Sequence, residues 1–176
     1  MATPTSKSSP MIFVAVAETA TVIKVVGRAN FNSSVHFKTV INELRQRGQQ
    51  TFVLDLTECI TMDSTFLGVL AGLVLHGNEN VAANQRIDLQ LLNPNPRVAD
   101  LLENLGVVHL FKICSTTTAS AAFQPAEENR PATKEELNRA CLEAHELLMA
   151  INPANIPKFK EVTQFLAEDL KRAKAE

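Results

Sequence analysis

Residues 51–77, TFVLDLTECITMDSTFLGVLAGLVLHG, decide the fold of this chain. The stretch begins with residues 51–56, an apolar and β-branched run that predicts a strand covered on both faces. It ends with residues 66–75, which are apolar on nearly every side and predict a helix inside a core. Between these two elements, Asp63 and Ser64 are residue types preferred at the start of a helix. An exposed serine held between two rigid elements is therefore the best functional candidate in the chain.

The segments before this stretch predict a strand hairpin followed by a helix. Residues 11–16 and 21–26 are apolar runs separated by a short turn, and they pair most simply as antiparallel strands. Residues 30–34 offer several N-caps for a helix that ends at Gly48. The apolar residues of this helix recur at the spacing of one buried face: Phe37, Val40, Ile41 and Leu44. A helix between two strands predicts a parallel pair joined by a right-handed crossover.

The segments after it continue the alternation of strands and helices. Residues 86–92 alternate apolar and polar side chains, which predicts a strand, and a helix with Pro96 in its first turn follows. Residues 107–113 predict a last short strand. On the central helix, Gly68 and Gly72 lie four residues apart, which favours close approach to the sheet because glycine has no side chain. The pattern predicts an α/β fold.

The ends of the chain differ in composition from this core. Residues 1–10 are rich in Ser, Thr and Pro and are predicted to be disordered, and residues 115–132 are interpreted as a linker. Residues 133–176 open with a capping box and carry two amphipathic patterns, which predict a helical hairpin. Its apolar faces must pack on each other, on the main domain of residues 11–114, or on a partner such as a second copy in a homodimer.

Composition excludes several classes of function. The chain has 176 residues, 45% hydrophobic and 20% charged, with a formal net charge of −2 that gives no reason to expect nucleic-acid binding. Its three cysteines are widely spaced, as expected of free thiols in a reducing compartment. The longest uncharged apolar run, residues 66–75, is far below the roughly 20 residues that span a bilayer. We therefore expect a cytoplasmic protein without membrane insertion.

The sequence offers no set of catalytic residues. It has neither the phosphate loop nor the G-x-G-x-x-G turn, and no histidine has a metal-ligand partner in register. Each of the four histidines is interpreted as a surface or structural residue, and none can be assigned as a base for Ser64. Asp55 and Asp63 could form a carboxylate pair or serve as turn and cap residues. The prediction is a protein without catalytic residues, metal or cofactor.

The central stretch resembles a STAS domain. The resemblance rests on the strand ending in Asp55, the M-D-S-T of residues 62–65 and the L-G-V-L of residues 67–70, and it extends over residues 11–113. Supporting elements are the turn at residues 27–30 and the strand-to-helix passage LNPNPRVADLL at residues 92–102. The resemblance implies a mixed sheet of four to five strands backed by helices, to which this chain adds its C-terminal helical hairpin.

The closest likeness is to bacterial anti-sigma-factor antagonists, which implies a function for Ser64. In such proteins the serine after the Asp is phosphorylated by an anti-sigma factor with serine kinase activity, and a serine/threonine phosphatase restores it. Only the unphosphorylated form sequesters the anti-sigma factor. The partner-binding residues implied by the resemblance lie at two helix starts: Asn30, Asp63, Ser64, Thr65, Phe66 and Leu67.

Two departures from the family pattern concern this surface. The chain has Phe66 where the family favours glycine, and Asn30 where it often has aspartate. A phenylalanine there would cover the serine or offer a partner an apolar contact. The alternative function is a non-enzymatic STAS adapter subunit of a transporter or signalling scaffold, in which Ser64 only caps a helix. A small hydrolase is a distant third hypothesis.

Overall fold

The computed structural model describes residues 11–116, 122–128 and 130–175. The predicted disordered segment 1–10 lies outside these residues, as do positions 117–121 and 129 of the predicted linker. In chain order the elements are β1 (Met11–Val16), β2 (Thr21–Ala29), α1 (Phe31–Gln46), β3 (Thr51–Asp55), β4 (Cys59–Met62), α2 (Ser64–His76), β5 (Asp88–Leu92), α3 (Pro96–Asn104), β6 (Lys112–Cys114), β7 (Gln124–Pro125), α4 (Lys134–Ile151) and α5 (Ile156–Ala175).

The strands form one mixed sheet in the order β6-β5-β3-β2-β1-β7, and β4 also pairs with β2. Strands β1 and β2 are antiparallel, whereas the pairs β2–β3, β3–β5 and β5–β6 are parallel. This arrangement confirms the predicted α/β fold with a mixed sheet backed by helices. The sheet has seven strands within the described residues, rather than four to five, because the sequence did not indicate the short strands β4 and β7.

One predicted boundary also shifts. The last predicted strand, residues 107–113, begins instead with a 3-10 turn at Val108–Leu110, and only Lys112–Cys114 pairs with β5. Strand β4 pairs in parallel with the second half of β2, with a register shift between Gly27 and Arg28. The bulge lets β2 pair with β3 along its first half and with β4 along its second half, which places the start of α2 beside the start of α1.

Alternation along the strands divides the sheet into a helix-covered face and a second face with a small apolar cluster. Ile23 and Leu54 point into the main core, while Val22 and Val53 belong to the second cluster. Helices α1 and α2 supply their apolar faces to the main core, where the rings of Phe37 and Phe66 lie 5.0 Å apart. No helix in the described part of the chain is long and apolar enough to cross a membrane.

The C-terminal helices pack on each other and on the main domain of the same chain. Helix α4 lies against α1 and α2 rather than on the sheet. The side chain of Leu148 has no exposed surface and belongs to the main core. Between the helices, the Asn155 amide donates to the carbonyl oxygens of Leu105 and Leu148, at 3.0 and 2.9 Å. Of the predicted packing options, the hairpin thus uses both its own second helix and the main domain.

The two glycines of α2 show how closely α4 approaches. A methyl group built on Gly68 would lie 2.5 Å from the Cβ atom of Ala144 and 2.7 Å from its carbonyl oxygen. At Gly72 the nearest atom would be 3.5 Å away, which is an ordinary contact. The close approach predicted for this pair therefore occurs at Gly68, and the neighbour is helix α4, not the sheet.

Candidate functional site

The Asp63 carboxylate joins the starts of two helices. One oxygen accepts a hydrogen bond from the Phe66 backbone N–H at 2.8 Å, which makes Asp63 the N-cap of α2. The other oxygen accepts from the backbone N–H of Phe31, the first residue of α1, also at 2.8 Å. Because the first N–H groups of a helix have no partner within it, one side chain here satisfies a donor from each helix.

Burial raises the pKa of Asp63 above its ordinary value, although the backbone N–H groups that face it act in the opposite direction. With both oxygens engaged, this carboxylate has a structural role in capping. Asp55 likewise accepts from the backbone N–H of Thr57 at 3.0 Å, which is a turn contact. The observed contacts thus match the turn and cap roles that the sequence left open for these two aspartates.

Asn30 caps the neighbouring helix. Its side-chain oxygen accepts from the backbone N–H of Asn32, and the Ser33 hydroxyl accepts in return from the backbone N–H of Asn30. This capping box fixes the start of α1 beside Asp63. The predicted contact residues Asn30 and Asp63 are therefore brought together with Ser64 at one edge of the fold.

Ser64 is the first residue of α2, and its hydroxyl group is engaged by the C-terminal hairpin. The Ser64 Oγ lies 2.8 Å from the Nε2 of His145, on α4. The His145 side chain is buried, and its ring stacks on Phe159 with centroids 4.5 Å apart. Its Nδ1 lies 3.5 Å from the Sγ of Cys141. The sequence had led us to expect an exposed serine, but Ser64 is half-buried.

A second polar contact lies beside the first. The Thr65 hydroxyl donates to Cys141 Sγ at 3.3 Å. A continuous set of contacts between α2 and α4, which we call the Ser64 network, is thus formed by Ser64, His145, Cys141 and Thr65.

Burial lowers the pKa of His145, so its imidazole is neutral at pH 7, with one donor and one acceptor nitrogen. Burial also raises the pKa of Cys141, to which the negative charge of Asp63 adds, so the thiol keeps its proton.

The Ser64–His145 pair has the spacing of a nucleophile and a base, but it lacks the third member of a triad. The second nitrogen of His145 faces the Cys141 thiol, and no carboxylate of the described residues bonds to this imidazole. The same part of the chain contains no cluster of three side chains able to hold a metal ion. The network is suited to holding two helices together.

The structure places the remaining predicted contact residues away from solvent. Phe66 and Leu67 have no exposed surface and belong to the main core, and Thr65 is buried beneath α4. This corrects the expectation that Phe66 presents an apolar contact to a partner, because the ring packs on Phe37 inside the domain. Asn30, Asp63 and Ser64 are the predicted residues nearest the surface.

Sequence analysis missed His145 and Cys141 as members of the site. Their spacing of four residues places them on one face of α4, and this was the only signal available. His145 is 81 residues from Ser64, so the contact depends on how α4 docks.

A family model for the STAS domain matches residues 12–120. The chain belongs to the STAS domain family. An anti-sigma factor antagonist from Mycobacterium paratuberculosis is 16% identical over 64% of this chain and 91% of its own, with a TM-score of 0.52. Protein TM1081 of Thermotoga maritima is 20% identical over 58% of this STAS protein and 79% of its own length, with a TM-score of 0.50. The unphosphorylated anti-sigma factor antagonist SpoIIAA is 20% identical over 61% and 89%, with a TM-score of 0.47.

No curated protein matches the chain. The first two structural likenesses support the fold. The match to the STAS domain ends at residue 120, so helices α4 and α5 lie outside it. The STAS domain of this protein therefore carries an additional hairpin on the surface that contains Ser64.

The buried His145 predicts a loss of stability in weak acid. Its pKa in the folded protein lies below the ordinary 6.5, so the unfolded chain takes up a proton at a higher pH than the folded one. Its contribution is complete above pH 6.5 and declines as the pH falls below that value. We expect the urea midpoint to fall between about pH 7 and pH 5.5, a window above the ordinary carboxylate range.

The control is His145→Gln, which keeps a polar side chain but does not titrate. The other three histidines remain in this variant, so its smaller pH dependence isolates the effect of His145. Equal pH dependence in the two proteins would contradict the prediction.

Proposed function

We propose that this protein is an anti-sigma-factor antagonist whose binding is controlled by phosphorylation of Ser64. In this proposal, the unphosphorylated form sequesters an anti-sigma factor with serine kinase activity in the cytoplasm, and a serine/threonine phosphatase reverses the modification. The observation that carries the proposal is the position of Ser64, directly after the N-cap Asp63 at the start of α2 in a STAS domain. The protein acts by binding and is not proposed to be an enzyme.

The electrostatics of the helix start are compatible with a phosphate on Ser64. The N-terminus of a helix carries unpaired N–H groups and a partial positive charge, which favour an added anion. Phosphoserine adds about −1.5 to −2 charge near neutral pH. The neighbouring Asp63 opposes part of this gain by repulsion. The STAS domain should therefore tolerate the modification, while a partner surface suited to a neutral hydroxyl should not.

The proposed contact surface is smaller than the sequence suggested. Asn30, Asp63 and Ser64 remain its members, at the starts of α1 and α2, whereas Thr65 is buried beneath α4. Phe66 and Leu67 support this surface from within the core, since neither has exposed area. A homodimer through the hairpin stays a prediction, to be tested by light scattering.

The experiment compares Ser64→Ala with Ser64→Asp as bait in an extract of the organism that encodes the chain. We expect Ser64→Ala to retain an ATPase of the histidine-kinase-like class and Ser64→Asp to bind it at least about tenfold more weakly, because a buried charge without a partner is costly. Mass spectrometry of wild-type protein from the same organism should find phosphate on Ser64. The matched control is Ser115→Asp, which adds the same charge at an exposed serine away from α2.

The adapter function is the second candidate, and one observation favours it. The Ser64 hydroxyl already has a partner, His145, inside the protein, as expected of a structural cap. Under this alternative Ser64→Ala and Ser64→Asp would bind the same proteins equally, and phosphate would be absent from Ser64. That result would overturn the antagonist proposal.

A further inference from the structure

We propose that the α4–α5 hairpin is an intramolecular competitor for the partner-binding surface, so that kinase and anti-sigma factor reach Ser64 only when α4 is displaced. This inference rests on the proposed function of Ser64. It adds that access to the serine is regulated by a segment of the same chain outside the STAS domain.

The first argument is steric. Only 2.8 Å separates the Ser64 Oγ from the Nε2 of His145, the distance of a direct hydrogen bond. A phosphoryl group on Ser64 would add a phosphorus atom and three oxygens to Oγ, and α4 leaves no room for them in this direction. A kinase must also orient the hydroxyl toward the phosphate of its nucleotide, whereas here the hydroxyl is bonded to His145. The arrangement with α4 in place therefore blocks both modification and contact.

The second argument concerns the fit of α4 to α2. Gly68 lies one turn after Ser64, and the backbone of Ala144 occupies the space where any Cβ atom would be. Ala140 and Ala144, both buried, keep the facing side of α4 equally small. The Ser64 network then provides polar partners for the hydroxyl groups that would otherwise be lost from water. The surface is complementary to α4 in both shape and hydrogen bonding.

The third argument is that the middle of α4, over Ser64, and its C-terminal part are held differently. Near its C-terminus, Leu148 is buried in the main core and Asn155 bonds the carbonyl oxygen of Leu105. Over Ser64 the contacts come from the small side chains of Ala140 and Ala144, the Ser64 network and an exposed ion pair of Glu143, and none of these α4 residues belongs to the main core. Displacement of α4 therefore begins over Ser64, while the contacts of Leu148 and Asn155 keep the hairpin attached.

The test uses two equivalent substitutions in α2 of the full chain. Gly68→Ala introduces a methyl group whose three nearest neighbours would all be atoms of Ala144 on α4, at 2.5–2.8 Å, so it should displace α4 while favouring helix α2 itself. Gly72→Ala makes the same change one turn later, where the methyl group meets only ordinary contacts. The readout is alkylation of Cys141 by iodoacetamide, followed by peptide mass spectrometry. We expect Gly68→Ala to react about tenfold faster than wild type, and Gly72→Ala to match wild type.

Cys59 serves as the internal reference, because it is buried in the main core and should stay unreactive in all variants. Reaction of Cys59 would indicate general unfolding by Gly68→Ala. Ala144→Leu then replaces it, since this change creates the same collision from the hairpin side and leaves the STAS sequence intact. The proteins are next assayed for Ser64 phosphate and for affinity toward the ATPase retained by Ser64→Ala.

Faster Cys141 alkylation together with higher affinity and more Ser64 phosphate, absent in Gly72→Ala, supports the proposal. The competitor role is overturned if the opened variants bind like wild type while Ser64→Asp still binds more weakly than Ser64→Ala, and the proposed function would then survive. It is also overturned if neither Gly68→Ala nor Ala144→Leu accelerates alkylation. If Ser64→Ala and Ser64→Asp bind alike even in the Gly68→Ala background, the proposed function itself fails.

Discussion

Asp63→Ala is expected to lower the free energy of unfolding by about 2–4 kcal/mol. Loss of an N-cap costs roughly 0.5–2 kcal/mol. The second hydrogen bond, from the Phe31 backbone N–H, involves a charged acceptor and is worth about 1.5–3 kcal/mol. Removing the half-buried carboxylate also removes the cost of desolvating its charge, which reduces the total. The change is larger than that of an ordinary cap because Asp63 accepts hydrogen bonds from the starts of two helices. Urea unfolding monitored by circular dichroism measures it.

Two variants provide the comparison. Asn30→Ala removes the cap of α1 alone and should cost about 1 kcal/mol. Asp63→Asn keeps an oxygen for the Phe66 N–H but loses the charge and the second acceptor, so it should fall between Asp63→Ala and wild type. If Asp63→Ala is no more harmful than Asn30→Ala, the bond to Phe31 contributes nothing to stability.

Most of the fold followed from local patterns in the sequence. The buried face of α1 and the alternation along β5 are repeated in several residues, so single exceptions do not hide them. Strand β4, Cys59–Met62, has only four residues, which is too short to show a clear alternating pattern. It becomes a strand because β2 bulges between Gly27 and Arg28 and offers its second half as a pairing edge. Such a strand depends on a neighbour distant in sequence and has no local pattern of its own.

The candidate site shows the same division between local and distant contacts. Asp63 as a helix cap and Ser64 as the first residue of α2 could be predicted, because capping depends on residue type within a few positions. The contact with His145 could not be predicted, because the amphipathic pattern of α4 shows which face is buried but not what it packs against. The position of α4 on α2 depends on the absence of a side chain at Gly68 and on the small side chain of Ala144. The departure at Phe66 is explained by the core, where its ring meets Phe37.

Leu148→Ala is expected to destabilise the whole protein by about 2–5 kcal/mol, with a single unfolding transition. Leu148 has no exposed surface and belongs to the same core cluster as residues of β3 and α2. Removing its side chain leaves a cavity between the hairpin and the STAS domain, which neither part can fill alone. The sequence predicted residues 11–114 and 133–176 as separate units. A shared core makes us expect cooperative unfolding of both, measured by urea titration with far-ultraviolet circular dichroism.

The matched control is Leu142→Ala, an identical truncation at a partly exposed position of the same helix. It should lower the free energy of unfolding by less than about 1 kcal/mol, because truncation of a partly exposed side chain loses little transfer free energy. Two separate transitions in the wild type, or a Leu148→Ala effect as small as that of Leu142→Ala, would contradict the prediction. The hairpin would then be attached only through the Asn155 and Ser64 contacts, and displacement of α4 would involve the entire hairpin rather than the part over Ser64.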